Sequence, residues 1–261
     1  GTVEQFSSAC GDDLAHPGAY EMQGGVLNGG VWTWYGGRFA HSGGDVACPQ
    51  VMVDPGSVYE LTGTGILQTD RLLVNYSRGD YAGPEVAAQF IQDGGVCDVA
   101  ERLSIGGDDP KGLRPEYRLS GGVLRAATIR IGTACVGLLA HSNGQLEVGT
   151  MHVDRFGEWE FTGGEATVSE QVLLEDGSTV TAAPGATIHM TGSAFENQST
   201  SSANLAGLKN LRLIFEGGPA DVDPVEVAGE DCGGAWEAFH DNFTLGALQI
   251  GGAAVGQVQL V

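Results

Sequence analysis

The stretch Tyr117–Leu124, YRLSGGVL, contains no reactive pair, yet the chain repeats its outline. YELTGTGIL starts at Tyr59, WEFTGGEA at Trp159 and YEMQGGVL at Tyr20. A second phrase alternates with it: GRFAHSGGDV around Phe39, AAQFIQDGGVC around Phe90 and VGLLAHSNGQL around Leu139. The marker positions are therefore Tyr20, Phe39, Tyr59, Phe90, Tyr117, Leu139 and Trp159, spaced by 19, 20, 31, 27, 22 and 20 residues. A period near 20 is the rule, and two intervals carry extra residues.

Each unit has the same internal order. An alternating run leads to a glycine corner, such as Gly24-Gly25, Gly43-Gly44, Gly94-Gly95, Gly121-Gly122 or Gly163-Gly164. A second alternating run follows, and a third hydrophobic run closes the unit: RLLVN, RLSIGG, TIRIG, TMHVD, QVLLE. Period-two hydrophobicity marks strands with one buried face. Glycine at the corners permits positive φ and close backbone approach. A unit this short cannot bury its own apolar face, so neighbouring units must stack. The phrase recurs because every coil has to present the same inward residues at the same place. The expected fold is all-β: a parallel β-helix, or β-solenoid, of ~20-residue coils, right-handed by the crossover rule. A β-sandwich also has regularly spaced strands, but it does not need neighbouring strands to share a phrase.

Composition agrees. Glycine fills 43 of 261 positions, about twice its ordinary share, and 42% of residues are hydrophobic, enough for a core. There are 33 acids against 12 bases, a net charge of −21. Such a chain repels nucleic acid and anionic membrane surfaces. No apolar run reaches the roughly 18 residues of a membrane-spanning helix, so membrane insertion is not expected.

Three segments follow. Residues 1–19 lie outside the phrase and are expected to cap the first coil. Residues 20–192 form the solenoid. Residues 193–261 continue it more loosely, with long polar loops. The stretches Asn75–Glu85 and Gly106–Glu116 fill the two long intervals and read as loops on the flank. Gln257 to Val261 still alternate. An uncovered terminal coil exposes unpaired strand edges. Either the chain runs on, or another copy covers the end, which would give head-to-tail assembly.

Candidate chemistry is sparse. Cys10, Cys48, Cys97, Cys135 and Cys232 include no CxxC pair, so they read as disulfide candidates or as small buried hydrophobes. His41 and His141 share one slot of the repeat, with Gln92 in the same slot between them and Gln23 near it in the first coil; the slot reads as a polar ladder. Ser42 and Ser142 point away from those histidines, because adjacent strand residues face opposite sides. VWTWYGG puts Trp32 and Trp34 on one strand face. Outward, they would form a sugar-stacking platform; inward, the preferred reading, they would fill the core. Asp154, Arg155, Glu158 and Glu160, or Asp70, Arg71 and Arg102, are the clusters a polysaccharide lyase or hydrolase would need. The acids are scattered and the bases few, so the chain reads as a non-enzyme. Asp108, Asp109, Asp221 and Asp223 lie in polar loops where calcium is the one conceivable cofactor. Asn75, Asn197 and Asn242 head glycosylation triplets.

The phrases YxLSGGxL and GxFxHSGG resemble those of large secreted bacterial repeat proteins, the autotransporter-passenger-like β-solenoids of planctomycete-type exported surface proteins. The resemblance runs from Tyr20 through most of the chain and includes AAPGATIHMTGSAFENQSTSSANLAGLKNLRLIFE from Ala182 to Glu216. It implies an extracellular or cell-surface location and a structural role, as a self-assembling subunit of a filament, layer or matrix. It supplies no catalytic residues. A carbohydrate-binding adhesin is the first alternative and a glycan lyase or hydrolase the second.

Overall fold

The computed structural model describes residues 2–3, 8–10, 18–33, 36–75, 86–107, 112–191, 194–198, 210–216, 225–227, 235–239, 248–250 and 257–260. The described elements are all strands, and every strand pairing is parallel. The chain winds through three faces and returns to each, coil after coil.

The first face stacks Ala19–Met22, Arg38–His41, Val58–Leu61, 89–92, 116–119, Gly137–His141, Gly157–Phe161 and Thr179–Ala182. The second face stacks Val26–Asn28, 45–48, 66–69, 96–99, 123–126, 145–148, 165–168 and Ala186–Met190. Beyond it come Leu211–Glu216, Ala235–Phe239 and Gln257–Leu260. The third face stacks Val31–Thr33, 51–53, 71–74, 102–105, 128–131, 150–153, 171–174 and Ala194–Asn197. Successive coils are thus separated by one strand spacing, about 4.8 Å.

Two short strands are described before Ala19. Thr2–Val3 pairs in parallel with Val26–Asn28, and Ser8–Cys10 with Val31–Thr33. These strands continue the second and third faces by one coil. At the other end, Val225–Val227 pairs in parallel with Leu248–Ile250.

The repeated phrase is a column of rings. Tyr20, Phe39, Tyr59, Phe90, Tyr117, Leu139, Trp159 and Val180 occupy one register position through the first face. Centroids lie 5.0 Å apart for Tyr20–Phe39, 4.9 Å for Phe39–Tyr59, and 4.7 Å for both Tyr59–Phe90 and Phe90–Tyr117. From Tyr59 to Tyr117 the planes tilt by only 8° and 9°. Ring separation thus follows strand separation, and parallel pairing forces like onto like. The second face adds the buried column Leu27, Val46, Leu67, Cys97, Leu124, Leu146, Ala166 and Ile188. The third adds Val31, Val51, Leu72, Leu103, Ile129, Met151 and Val172.

Corners are set by glycine and one asparagine. Between first and second faces Gly25, Gly44, Gly95, Gly122, Gly144 and Gly164 all have φ between 64° and 89°. Between third and first faces Asn75, Gly106 and Gly132, on consecutive coils, have φ of 71°, 85° and 79°. Asparagine tolerates that region better than other side chains.

Candidate functional site

Two places gather polar side chains: the slot beside the ring column, inside, and the third face, outside. The inner slot runs Met22, His41, Leu61, Gln92, Leu119, His141, Phe161 and Ala182. Its first-coil member is Met22, next to Gln23. His41, Gln92 and His141 are fully buried, and each is flanked by apolar neighbours along the column. A buried polar group ordinarily needs a partner, and tyrosines supply one to His41 and Gln92. The Tyr117 hydroxyl donates to Gln92 Oε1 at 2.6 Å, and Gln92 Nε2 donates to the Val123 carbonyl at 2.9 Å. His41 Nε2 lies 2.9 Å from the Gly44 carbonyl, which can only accept, so that nitrogen carries the proton. Nδ1 then accepts from the Tyr59 hydroxyl at 3.1 Å. Burial lowers the His41 pKa and pushes that of His141 down to about 4. Both rings are therefore neutral structural members, isolated from one another by intervening coils.

His141 differs from its counterpart. The residue above it in the ring column is Trp159 instead of a tyrosine, and both His141 Nδ1 and Trp159 Nε1 are buried without a hydrogen-bond partner. Its ring instead stacks on Phe161, with centroids 4.8 Å apart.

Outside, the third face carries two outward columns. One reads Gln50, Arg71, Arg102, Thr128, Thr150; the other reads Trp32, Met52, Leu73, Ser104, Arg130, His152. Trp32 lies between buried Val31 and Thr33 and is itself half-buried. Alternation therefore turns it outward, against the expectation of core packing. Trp34 lies outside the described residues. Met52 and Leu73 alternate outward too, yet they are buried. They floor a groove of about 580 Å³ flanked by Trp32, Gln50, Arg71, Arg102, Ser104 and Arg130.

Of the arginines, Arg71 donates from Nε to Glu101 at 2.7 Å, and Arg130 reaches Asp154 at 2.5 and 3.2 Å. Glu101 reaches back because the strand Gln89–Ile105 carries a bulge. Two residues separate Val99 from Arg102, where only one separates Thr69 from Arg71 and Ala126 from Thr128. Such a bulge re-aims side chains. Among the described residues no carboxylate pairs with Arg102. Sequence reading had grouped Arg71 with Arg102 but missed Arg130, Met52 and Leu73. The signal was present: superimposing RLLVN, RLSIG and TIRIG puts Arg71 and Arg102 first and Leu73, Ser104 and Arg130 third.

The other sequence candidates disperse. Asp154 sits at a corner beneath Arg130, while Glu158 and Glu160 lie on the first face and bind Arg114. Arg155 stacks on Phe156 at 5.0 Å. Asp70 is exposed at the corner and close enough to Arg71 to favour its charge. His152, Asp154 and Glu175 bring three ligand atoms within 4.8 Å of one another. Arg130 already holds that aspartate, so a cation would have to displace a guanidinium. The calcium candidates Asp108, Asp109, Asp221 and Asp223 lie outside the described residues. Cys48, Cys97 and Cys135 are buried and form no disulfide among the described residues, and burial pushes Cys48 up to about 11 and Cys97 to about 12. Cys232 lies outside the described residues, and of Cys10 only the backbone is described. Asn75 is buried at its corner, so its triplet offers no accessible acceptor in the folded chain. No protein-family model, curated protein or solved structure matches this chain.

Proposed function

We propose that this chain is an extracellular structural unit, a stiff stack of coils that joins copies of itself head to tail in a filament, surface layer or matrix. The observation that carries the reading is the ring column with its in-register hydrogen bonding. The described coils pair in parallel one on the next, and from Tyr20 to Tyr117 they also stack ring on ring, which is the construction of a rod. The exposed flanks are strongly acidic, so rods repel sideways and meet at their ends. The dispersal of the acid clusters supports a non-catalytic role. Kinship with autotransporter-passenger-like exported solenoids belongs to the same proposal and rests on the alternating phrase. Negative-stain microscopy of purified chain tests it. Filaments or ordered sheets are expected, and monodisperse rods at high concentration would count against assembly.

A second reading, glycan binding by an adhesin, is favoured by one observation: Trp32 faces outward at the end of a groove. A glycan array with wild-type and Trp32→Ala protein tests it, and the variant is expected to lose signal.

A further inference from the structure

We propose that the third-face groove binds a short oligosaccharide bearing an isolated carboxylate, held by Arg102 and Arg71 with a sugar face on Trp32. The inference names the ligand class of the glycan-binding reading and rests on it.

Four observations lead there. First, Arg71 and Arg102 are register partners on adjacent parallel strands, so their backbones are about 4.8 Å apart. Like charges placed directly opposite destabilise a sheet. An anion between them would convert that repulsion into two charge-assisted contacts. Second, charge is distributed unevenly. Arg38, Arg114, Arg118 and Arg125 each bind a glutamate. Three of only 12 basic residues line one groove in a chain with 33 acids, and two of the three are also acid-paired. Glu101 and Asp154 engage Arg71 and Arg130. The fork of Arg102 stays open among the described residues, and guanidinium geometry suits a carboxylate.

Third, the floor of Met52 and Leu73 is apolar and the rim carries Gln50, Ser104 and Thr133. An apolar floor with a few convergent polar groups is the ordinary make-up of a small-molecule site. An inorganic anion has no use for that floor, whereas a sugar has both an apolar ring face and hydroxyls. Fourth, the register fixes a length. Trp32 and Arg102 are three coils apart, about 14 Å. One monosaccharide cannot touch both, and an oligosaccharide can.

Net charge decides between an isolated carboxylate and a continuous polyanion. Screening confines each charge to about 8–10 Å at physiological salt. Arginines within the groove act on a carboxylate bound there, while flank acids further off are muted. A long polyanion would leave the groove and run along those acids, so nucleic acid and fully charged polysaccharides are disfavoured.

The test is calorimetric titration of the full chain at physiological salt with sialyllactose, a trisaccharide with one carboxylate, with its methyl ester and with inorganic phosphate. Wild-type, Arg102→Gln and Trp32→Ala proteins are compared after their melting temperatures are shown to agree. Binding of sialyllactose alone, weakened at least tenfold by either substitution, is the expected result. Equal binding of the ester, indifferent to Arg102→Gln, would overturn the carboxylate claim and leave the glycan-binding reading standing. Phosphate binding as well as the sugar acid would overturn the sugar claim. Failure of all three probes would remove both.

Discussion

His41 and His141 occupy equivalent slots with different consequences. His41 is hydrogen-bonded on both nitrogens, whereas His141 has a long 3.4 Å contact to Gly144 and an unpartnered Nδ1. His41→Leu strands the buried Tyr59 hydroxyl and is expected to cost about 1–3 kcal/mol. His141→Leu removes an unsatisfied group and should cost less, measured by denaturant unfolding at pH 7.5. Acid gives a second contrast. Burial holds His141 down at about 4 against an ordinary 6.5, so between those values the unfolded chain binds a proton that the folded chain refuses. Stability is complete above about pH 6.5 and falls on acidification toward pH 4, in total by roughly 3 kcal/mol from this group. His141→Leu should flatten that part of the profile. An unchanged profile would mean the imidazole is solvated. In the same slot, Tyr117→Phe leaves Gln92 Oε1 without its donor in a buried site and should cost about 1–3 kcal/mol.

A strand and its corner form the next level. The corner glycines are a column like the rings, with backbone packed on backbone. A Cβ on Gly122, at φ 76°, would sit 2.4 Å from the Gly95 carbonyl oxygen. Gly122→Ala therefore meets both the left-handed penalty, about 1–2 kcal/mol, and a clash that only backbone movement relieves. Circular dichroism melting should show a drop of several degrees, while alanine at exposed Gly24, which has open space around it, should be tolerated far better. This column was legible in the repeated Gly-Gly, and so was the ring column, because both answer to the 20-residue period. The Val99–Arg102 bulge was not legible. One extra residue within a period that already varies from 19 to 31 leaves no mark on the pattern. The side of the strand that Trp32 takes was equally hidden, since an outward indole and an inward one fit the same alternation. The groove depends on both features, which is why the sequence pattern groups Arg71 with Arg102 but shows neither Arg130 nor the floor.

The full stack answers to charge and register. With 33 acids against 12 bases, self-repulsion opposes the compact state, and the flank pairs such as Arg38–Glu60 are exposed contacts of small worth. Added salt should therefore raise the melting temperature instead of lowering it. The central claim is the register itself, and oxidative cross-linking of paired cysteines tests it most directly. Gln68 and Asp98 are 30 residues apart in sequence but partners on the second face, and Arg125 is the partner one coil further on. Bridgeable residues have Cα separations of about 4.4–6.8 Å, which admits one coil and excludes two. Gln68→Cys with Asp98→Cys is expected to form a disulfide under mild oxidation, detected by peptide mass spectrometry, and Gln68→Cys with Arg125→Cys is not. Cross-linking of the second pair with failure of the first would contradict the stacked coils.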